Sequence, residues 1–229
     1  MTDQNEREAL VAACRQMNAL GINQGTSGNI SVRAGDIMLI SPSATPYHLL
    51  QARDVAKMPL QGEYGSWHGP LKPSTEWRFH LDIMRSRADA GAIVHAHPPY
   101  CTSLAIARKP IPACHYMMAA FGGTDVRCTP YATFGTRELS DHALHALDGR
   151  NACLLANHGM IVVGGTLDKA MWLAVELETI ARQYVLSLLI GGPVVLSAAD
   201  IEATAAQFAS YGLQERPEPR GRKKAKYVA

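Results

Sequence analysis

Ala92-Ile93-Val94 runs straight into His95-Ala96-His97, and Pro98-Pro99 stops the run. A short aliphatic stretch of this kind reads as a buried strand, and the double proline ends it. Side chains two apart on a strand leave from the same face, so His95 and His97 project together. Same-face imidazoles on a rigid strand suit a borderline cation such as zinc. Taken singly, either histidine is more often a hydrogen-bonded structural residue. His158 strengthens the pair, because it sits in Asn157-His158-Gly159, a tight turn after a second apolar strand at 152–156. There the glycine is expected to permit the sharp bend. Three histidines drawn from two strand ends match a standard catalytic zinc arrangement with the fourth position open.

Around these strands the hydrophobic period alternates between helix and sheet. Leu10, Cys14, Met17 and Leu20 give residues 6–19 a helical rhythm that Gly21 stops. A small-residue turn at 25–29 leads into a strand through Val32, and residues 37–40 form its hairpin partner after Gly35-Asp36. Residues 55–71 read as short polar strands and turns. A helix is expected over 76–87, started by Pro73-Ser74-Thr75. Further helices fall at 102–107, 138–147, 167–189 and 199–209, with another strand at 160–164. Short strands mixed with helices favour an α/β fold with a mainly antiparallel sheet.

Composition narrows the function classes. The 229 residues are 47% hydrophobic and 18% charged, which excludes a mainly disordered chain. A net charge of +2 is too small to imply a nucleic-acid partner, and it is unevenly placed. Residues 216–229 carry six basic side chains and Glu218, a balance of +5 that leaves −3 for the rest. The longest apolar segment, near 185–196, is broken by Ser187, Gly191, Gly192 and Pro193, so no membrane association is expected. The five cysteines, Cys14, Cys101, Cys114, Cys128 and Cys153, form no CxxC pair and read as buried free thiols. With no signal-peptide pattern, the expected location is the cytoplasm.

Glu76 is the acid best placed to complete the histidine set, although at a helix start a carboxylate also simply satisfies amides. Three stretches offer hydroxyls and backbone amides: Thr26-Ser27-Gly28-Asn29, Ser41-Pro42-Ser43-Ala44 and Lys72-Pro73-Ser74-Thr75. Such loops, the last at a helix N-terminus, suit a phosphate. Neither a Walker loop nor a dinucleotide GxGxxG is present.

These residues form an ordered series of motifs: Gly25-Thr-Ser-Gly-Asn-Ile-Ser-Val-Arg33, Ile40-Ser-Pro-Ser43, Lys72-Pro-Ser-Thr-Glu76, Val94-His-Ala-His-Pro98, Ile111-Pro-Ala-Cys-His-Tyr-Met117, Pro130-Tyr-Ala-Thr-Phe-Gly-Thr-Arg-Glu-Leu139 and Asn157-His-Gly159. In this order, across about residues 6–213, they resemble the class II aldolase/adducin family and especially its fuculose-phosphate aldolase branch. The resemblance implies a central, predominantly antiparallel sheet flanked by helices, with residues 1–213 as one domain and 214–229 as a flexible basic tail. It implies a homotetramer with active sites shared between subunits. His95, His97 and His158 would be zinc ligands, with manganese or cobalt as other candidate cations. Glu76 would be the fourth resting ligand and the acid/base group. Gly28, Asn29, Ser43, Ala44, Ser74 and Thr75 would bind the phosphate and ketose. Tyr116 would be supplied by a neighbouring subunit to protonate the aldehyde oxygen in carbon–carbon bond formation, and Tyr211 would act from the C-terminal segment. Ala44 replaces a common glycine, which is expected to narrow the phosphate rim.

The implied reaction is reversible cleavage of a ketose 1-phosphate, either L-fuculose 1-phosphate or a related deoxy- or methylthio-pentulose 1-phosphate. Its products would be dihydroxyacetone phosphate and an aldehyde. Zinc can stabilise the charge left by this cleavage, so Lys72 is not expected to form a Schiff base. Relatives of this kind also include pentulose-5-phosphate 4-epimerases, sugar-acid phosphate decarboxylases and methylthioribulose-1-phosphate dehydratases. The intact Lys72-to-Glu76 element and Tyr116 favour the aldolase among them. A non-catalytic protein like the adducin head has no need of three histidines together with Glu76.

Overall fold

A computed structural model describes residues 3–208. Its elements are α1 (Gln4–Ala19), β1 (Asn29–Ala34), β2 (Ile37–Ile40), β3 (Ala56–Pro59), α2 (Trp77–Ser86), β4 (Ala92–Ala96) and α3 (Pro99–Ile106). They continue with β5 (Ile111–Pro112), β6 (Asp125–Cys128), α4 (Arg137–Ala146), β7 (Ala152–Leu155), β8 (Gly159–Gly164), α5 (Leu167–Leu188) and α6 (Ala198–Phe208). The strands form an eight-stranded sheet in the order β3-β2-β1-β4-β8-β7-β6-β5. Every pairing is antiparallel except β6 with β7, which is parallel. This is the mixed α/β architecture expected, with helices on both faces.

The pleat divides the core. On β4, Val94 and Ala96 face the layer containing α1, α3 and α5, where Leu10, Leu104, Leu173 and Ile180 are buried. Ile93 faces the opposite layer, packed by Phe79, Leu81 and Ile83 of α2 and by Leu139 and Ala143 of α4. His95 falls in the second phase, and its ring lies edge-on to Phe79 at 5.4 Å between centroids. One central strand thus supplies two apolar layers and delivers a histidine to the α2 side.

Several local expectations change. Pro98-Pro99 ends β4 but also opens α3, because proline is favourable in a first helical turn. The helix therefore starts three residues before the expected 102. Residues 55–71 contribute the edge strand β3, joined to His68 by an isolated bridge with Lys57. Cys14, Cys101 and Cys153 are buried, but Cys114, just after β5, and Cys128, the last residue of β6, are only half-buried where they pack against the core. The basic tail and Tyr211 lie outside the described residues.

The C-terminal end of α2 is held to the sheet by Arg33 of β1. Its Nε donates to the Ala90 carbonyl at 2.9 Å, and its Nη2 donates to those of Met84 at 2.5 Å and Arg87 at 3.0 Å. These bonds satisfy carbonyls that a helix end leaves open. Arg33→Met is expected to lower unfolding free energy by about 2–4 kcal/mol in a denaturant titration, since charged donors are lost and carbonyls orphaned. At the other end of β2, Ala44 adopts φ 50°, a left-handed conformation that costs a side-chain-bearing residue about 1–2 kcal/mol. Ala44→Gly removes that strain at a smaller cost in unfolded-chain entropy, so a gain of about 0.5–1 kcal/mol is expected by the same titration. An unchanged or lower stability would contradict strain at this position.

Candidate active site

The site forms where β1 and β4 end side by side. Asn29 is the register partner of His95, so their side chains share one face of the sheet. The β7–β8 hairpin brings His158 to the same place, with Leu155 paired to Gly159 across its turn. Asn157, at φ 56°, makes the sharp bend expected of the glycine. Gly159 has another role, since a Cβ there would lie 2.5 Å from both the Ala96 carbonyl and the His97 ring. The glycine lets the hairpin close onto the end of β4.

The three imidazoles form a nearly equilateral cluster, with ring centroids 4.8, 4.8 and 4.9 Å apart. Their ligand atoms all lie within 4.8 Å of one another, and among the described residues this is the metal-competent cluster. His95 Nδ1 is 2.9 Å from the Met160 carbonyl, which accepts only, so this nitrogen carries a proton and Nε2 is the one turned to the cluster. A backbone carbonyl holding the far ring nitrogen is a usual support for a metal-ligating histidine. His95 Nε2 lies 2.9 Å from His97 Nε2 and 3.1 Å from Glu76 Oε2. Convergent nitrogens and a carboxylate at these separations fit a divalent cation.

Glu76 is the N-cap of α2, but its side chain makes no capping hydrogen bond. Instead it turns into the cluster, where Asn29 Nδ2 donates to Oε2 at 3.0 Å and His158 Nε2 lies 3.3 Å from Oε1. Burial alone would raise its pKa, but the His95 and His158 charges and the Asn29 amide hold it well below the usual carboxylate range. Burial, reinforced by the neighbouring histidines, lowers His97 to about 3. Burial and the His95 charge lower His158 to about 4. Metal binding requires an ionised carboxylate and bare ring nitrogens, and Glu76, His97 and His158 are all shifted in that direction.

A cavity of about 430 Å³ opens beside the cluster. Gly28, Asn29, Ser43, Ala44, Ser74 and Thr75 line it together with Glu76, His97 and His158. His95 lies beneath it, completely buried. The expected phosphate loops and metal residues therefore meet, and the cavity also meets the residues just before α2, where the helix dipole favours an anion. Lys72 is exposed and does not line the cavity. Tyr116 does not line it either; it is 53% exposed and packs against His115 and Phe208. Sequence reasoning assigned no role to Tyr131 and Phe134, two exposed aromatics at the cavity mouth. Their signal was present as aromatics in an otherwise small and polar loop.

Comparison with known proteins identifies the family. The family described as Class II Aldolase and Adducin N-terminal domain matches residues 8–185. A 5-methylthioribulose-1-phosphate/5-deoxyribulose-1-phosphate aldolase of Rhodospirillum rubrum is 52% identical over 206 residues, covering 90% of this chain and 92% of that protein. The L-fuculose phosphate aldolase of Escherichia coli strain K12 is 47% identical over 206 residues, covering 90% of this chain and 94% of its own length. A solved L-fuculose 1-phosphate aldolase matches with a TM-score of 0.87 and 37% identity, covering 91% of this chain and 98% of that one. Likeness of this degree extends through the sheet and both helical layers, and the chain belongs to the class II aldolase family.

Proposed function

We propose that the chain is a zinc-dependent aldolase that reversibly cleaves a ketose 1-phosphate to dihydroxyacetone phosphate and an aldehyde. The carrying observation is the ionised, buried Glu76 among three histidines at a cavity rimmed by hydroxyl-bearing loops. Relatives named for methylthioribulose or deoxyribulose phosphate and for fuculose phosphate support a ketose with a short apolar end. His95, His97, His158 and Glu76 would hold the cation. When bound, it supplies electrophilic stabilisation of charge at the C2 and C3 oxygens. Asn29, Ser43, Ser74 and Thr75 bind the phosphate, assisted by the dipole of α2. Glu76 takes the C3 proton of dihydroxyacetone phosphate in the bond-forming direction and returns it in cleavage.

Tyr116 protonates the aldehyde oxygen. Its exposed position outside this chain's cavity is consistent with service to a neighbouring subunit. Leu189, Ile190 and Val194, at 77%, 87% and 89% exposure, offer apolar surface that assembly would cover. We read the assembly as a homotetramer, residues 1–213 as its repeating domain, and Tyr211 as a second tyrosine acting on the substrate. The unpaired cysteines support a reducing, cytoplasmic setting.

Light scattering is expected to give about four times 24.8 kDa, whereas a fully active monomer would rule out the shared site. Protein purified without added metal is expected to contain one zinc per chain by elemental analysis. Chelation should abolish cleavage, and parental metal content in both H95A and H158A would refute the ligand set. E76Q is expected to keep its fold and most of its metal while release of dihydroxyacetone phosphate slows by about 10²–10⁴-fold. Metal-loaded E76Q with a normal rate would remove Glu76 from the mechanism.

A further inference from the structure

We propose that His80 is a positioning residue: it orients the Asn29 amide, and through it the Glu76 carboxylate, by a chain of hydrogen bonds that begins at Ser31. The identity of the reaction it serves rests on the aldolase reading, but the bonding pattern does not.

His80 lies one helical turn beyond Glu76, on the face of α2 that meets β1. It is completely buried and stacks on Phe79 at 4.6 Å. Asn29 and Ser31, two apart on β1, point to this same side. Ser31 Oγ is 2.7 Å from His80 Nδ1, and Asn29 Oδ1 is 2.5 Å from His80 Nε2.

The direction of each bond follows from the last acceptor. An ionised carboxylate only accepts, so Asn29 must present its NH2 to Glu76, as it does at 3.0 Å. The Asn29 carbonyl oxygen is then turned to His80 and also only accepts, so His80 Nε2 must carry a proton. Burial lowers the His80 pKa to about 3, leaving the ring neutral and Nδ1 bare. Ser31 therefore donates to Nδ1, His80 donates to Asn29, and Asn29 donates to Glu76. Reversing the Asn29 amide would set its carbonyl against the carboxylate.

This chain holds Glu76 Oε2 from the β1 side. Oε1 has no hydrogen-bond partner among the described residues, although His158 lies 3.3 Å away. The hydrogen-bond chain thus fixes the carboxylate at Oε2 and leaves Oε1 to the His158 side of the cluster, so its orientation does not depend on the oxygen that would take up a proton. A leucine or phenylalanine at position 80 would fill the space but leave Ser31 and the Asn29 carbonyl unpaired.

The test uses full-length, metal-loaded enzyme with ¹⁵N-labelled histidine. The resonances lost in H80Q identify residue 80, and the parent is expected to show its neutral Nε2–H tautomer. The paired kinetic measurement is α-proton exchange on dihydroxyacetone phosphate. H80L is expected to slow exchange by about 10–100-fold, the scale of a small misplacement of reacting groups. H80Q, which can donate to Asn29 and accept from Ser31, should recover most of the rate. Adding H80L to N29A should cost little beyond N29A alone, since the residue being oriented is already gone. S31A, which leaves the ring in place if H80L does not fold, should move the Nδ1 resonance downfield.

An Nδ1–H tautomer, an unmoved Nδ1 resonance in S31A, parental exchange in H80L, or fully additive losses in N29A/H80L would overturn the proposal. A parent that exchanges no proton would instead defeat the aldolase reading, while the tautomer and the S31A shift would still decide the role of His80.

Discussion

A carboxylate that stays ionised while 95% buried is the constraint around which this site is arranged, since Glu76 is only 5% exposed. Burying a charge without partners costs far more than a typical fold's net stability allows. Here Asn29 supplies a hydrogen bond, and the imidazoles of His95 and His158 lie on opposite carboxylate oxygens. These partners come from β1, β4 and the β7–β8 turn, while the acid comes from the start of α2. The order β1-β4-β8 at the centre of the sheet is therefore what makes the group tolerable. The histidines suit the same place, because ring nitrogens within 4.8 Å of one another can hold a cation between them.

Much of this was legible in the chain. Period-two and helical patterns located the sheet and helices, and the HxH at the end of an aliphatic run placed two imidazoles on one face by side-chain alternation alone. Glu76 was ambiguous from local sequence, because a helix start explains an acid without any site. What resolved it was the Asn29 contact, 47 residues away in sequence, which leaves no mark on the α2 pattern. His80 was hidden for the same reason: its spacing fits the buried face of a helix, and only the Ser31 and Asn29 contacts reveal a polar role.

Other differences came from residues whose local rule has two outcomes. Pro98-Pro99 reads as a break, yet Pro99 is also a good first helical residue, and both apply at the β4–α3 junction. Gly159 reads as a bend, whereas the bend belongs to Asn157 and the glycine serves a close approach to His97. Ala44 reads as a bulkier rim residue, but its left-handed backbone makes conformational strain a second consequence of replacing glycine there. Tyr131 and Phe134 carried no local signal beyond their size, and their place at the cavity mouth depends on how the loop before α4 folds back over α2.

The strand ends bring His95, His97 and His158 together, and the proposed chemistry depends on one cation held between them. Crystals grown from protein purified without added metal, measured on both sides of the zinc absorption edge, test this most directly. A single strong anomalous peak per subunit is expected, within bonding distance of one nitrogen from each histidine and present only above the edge. A zinc peak held by other residues, or metal-replete crystals with the three rings in place and no peak between them, would contradict it.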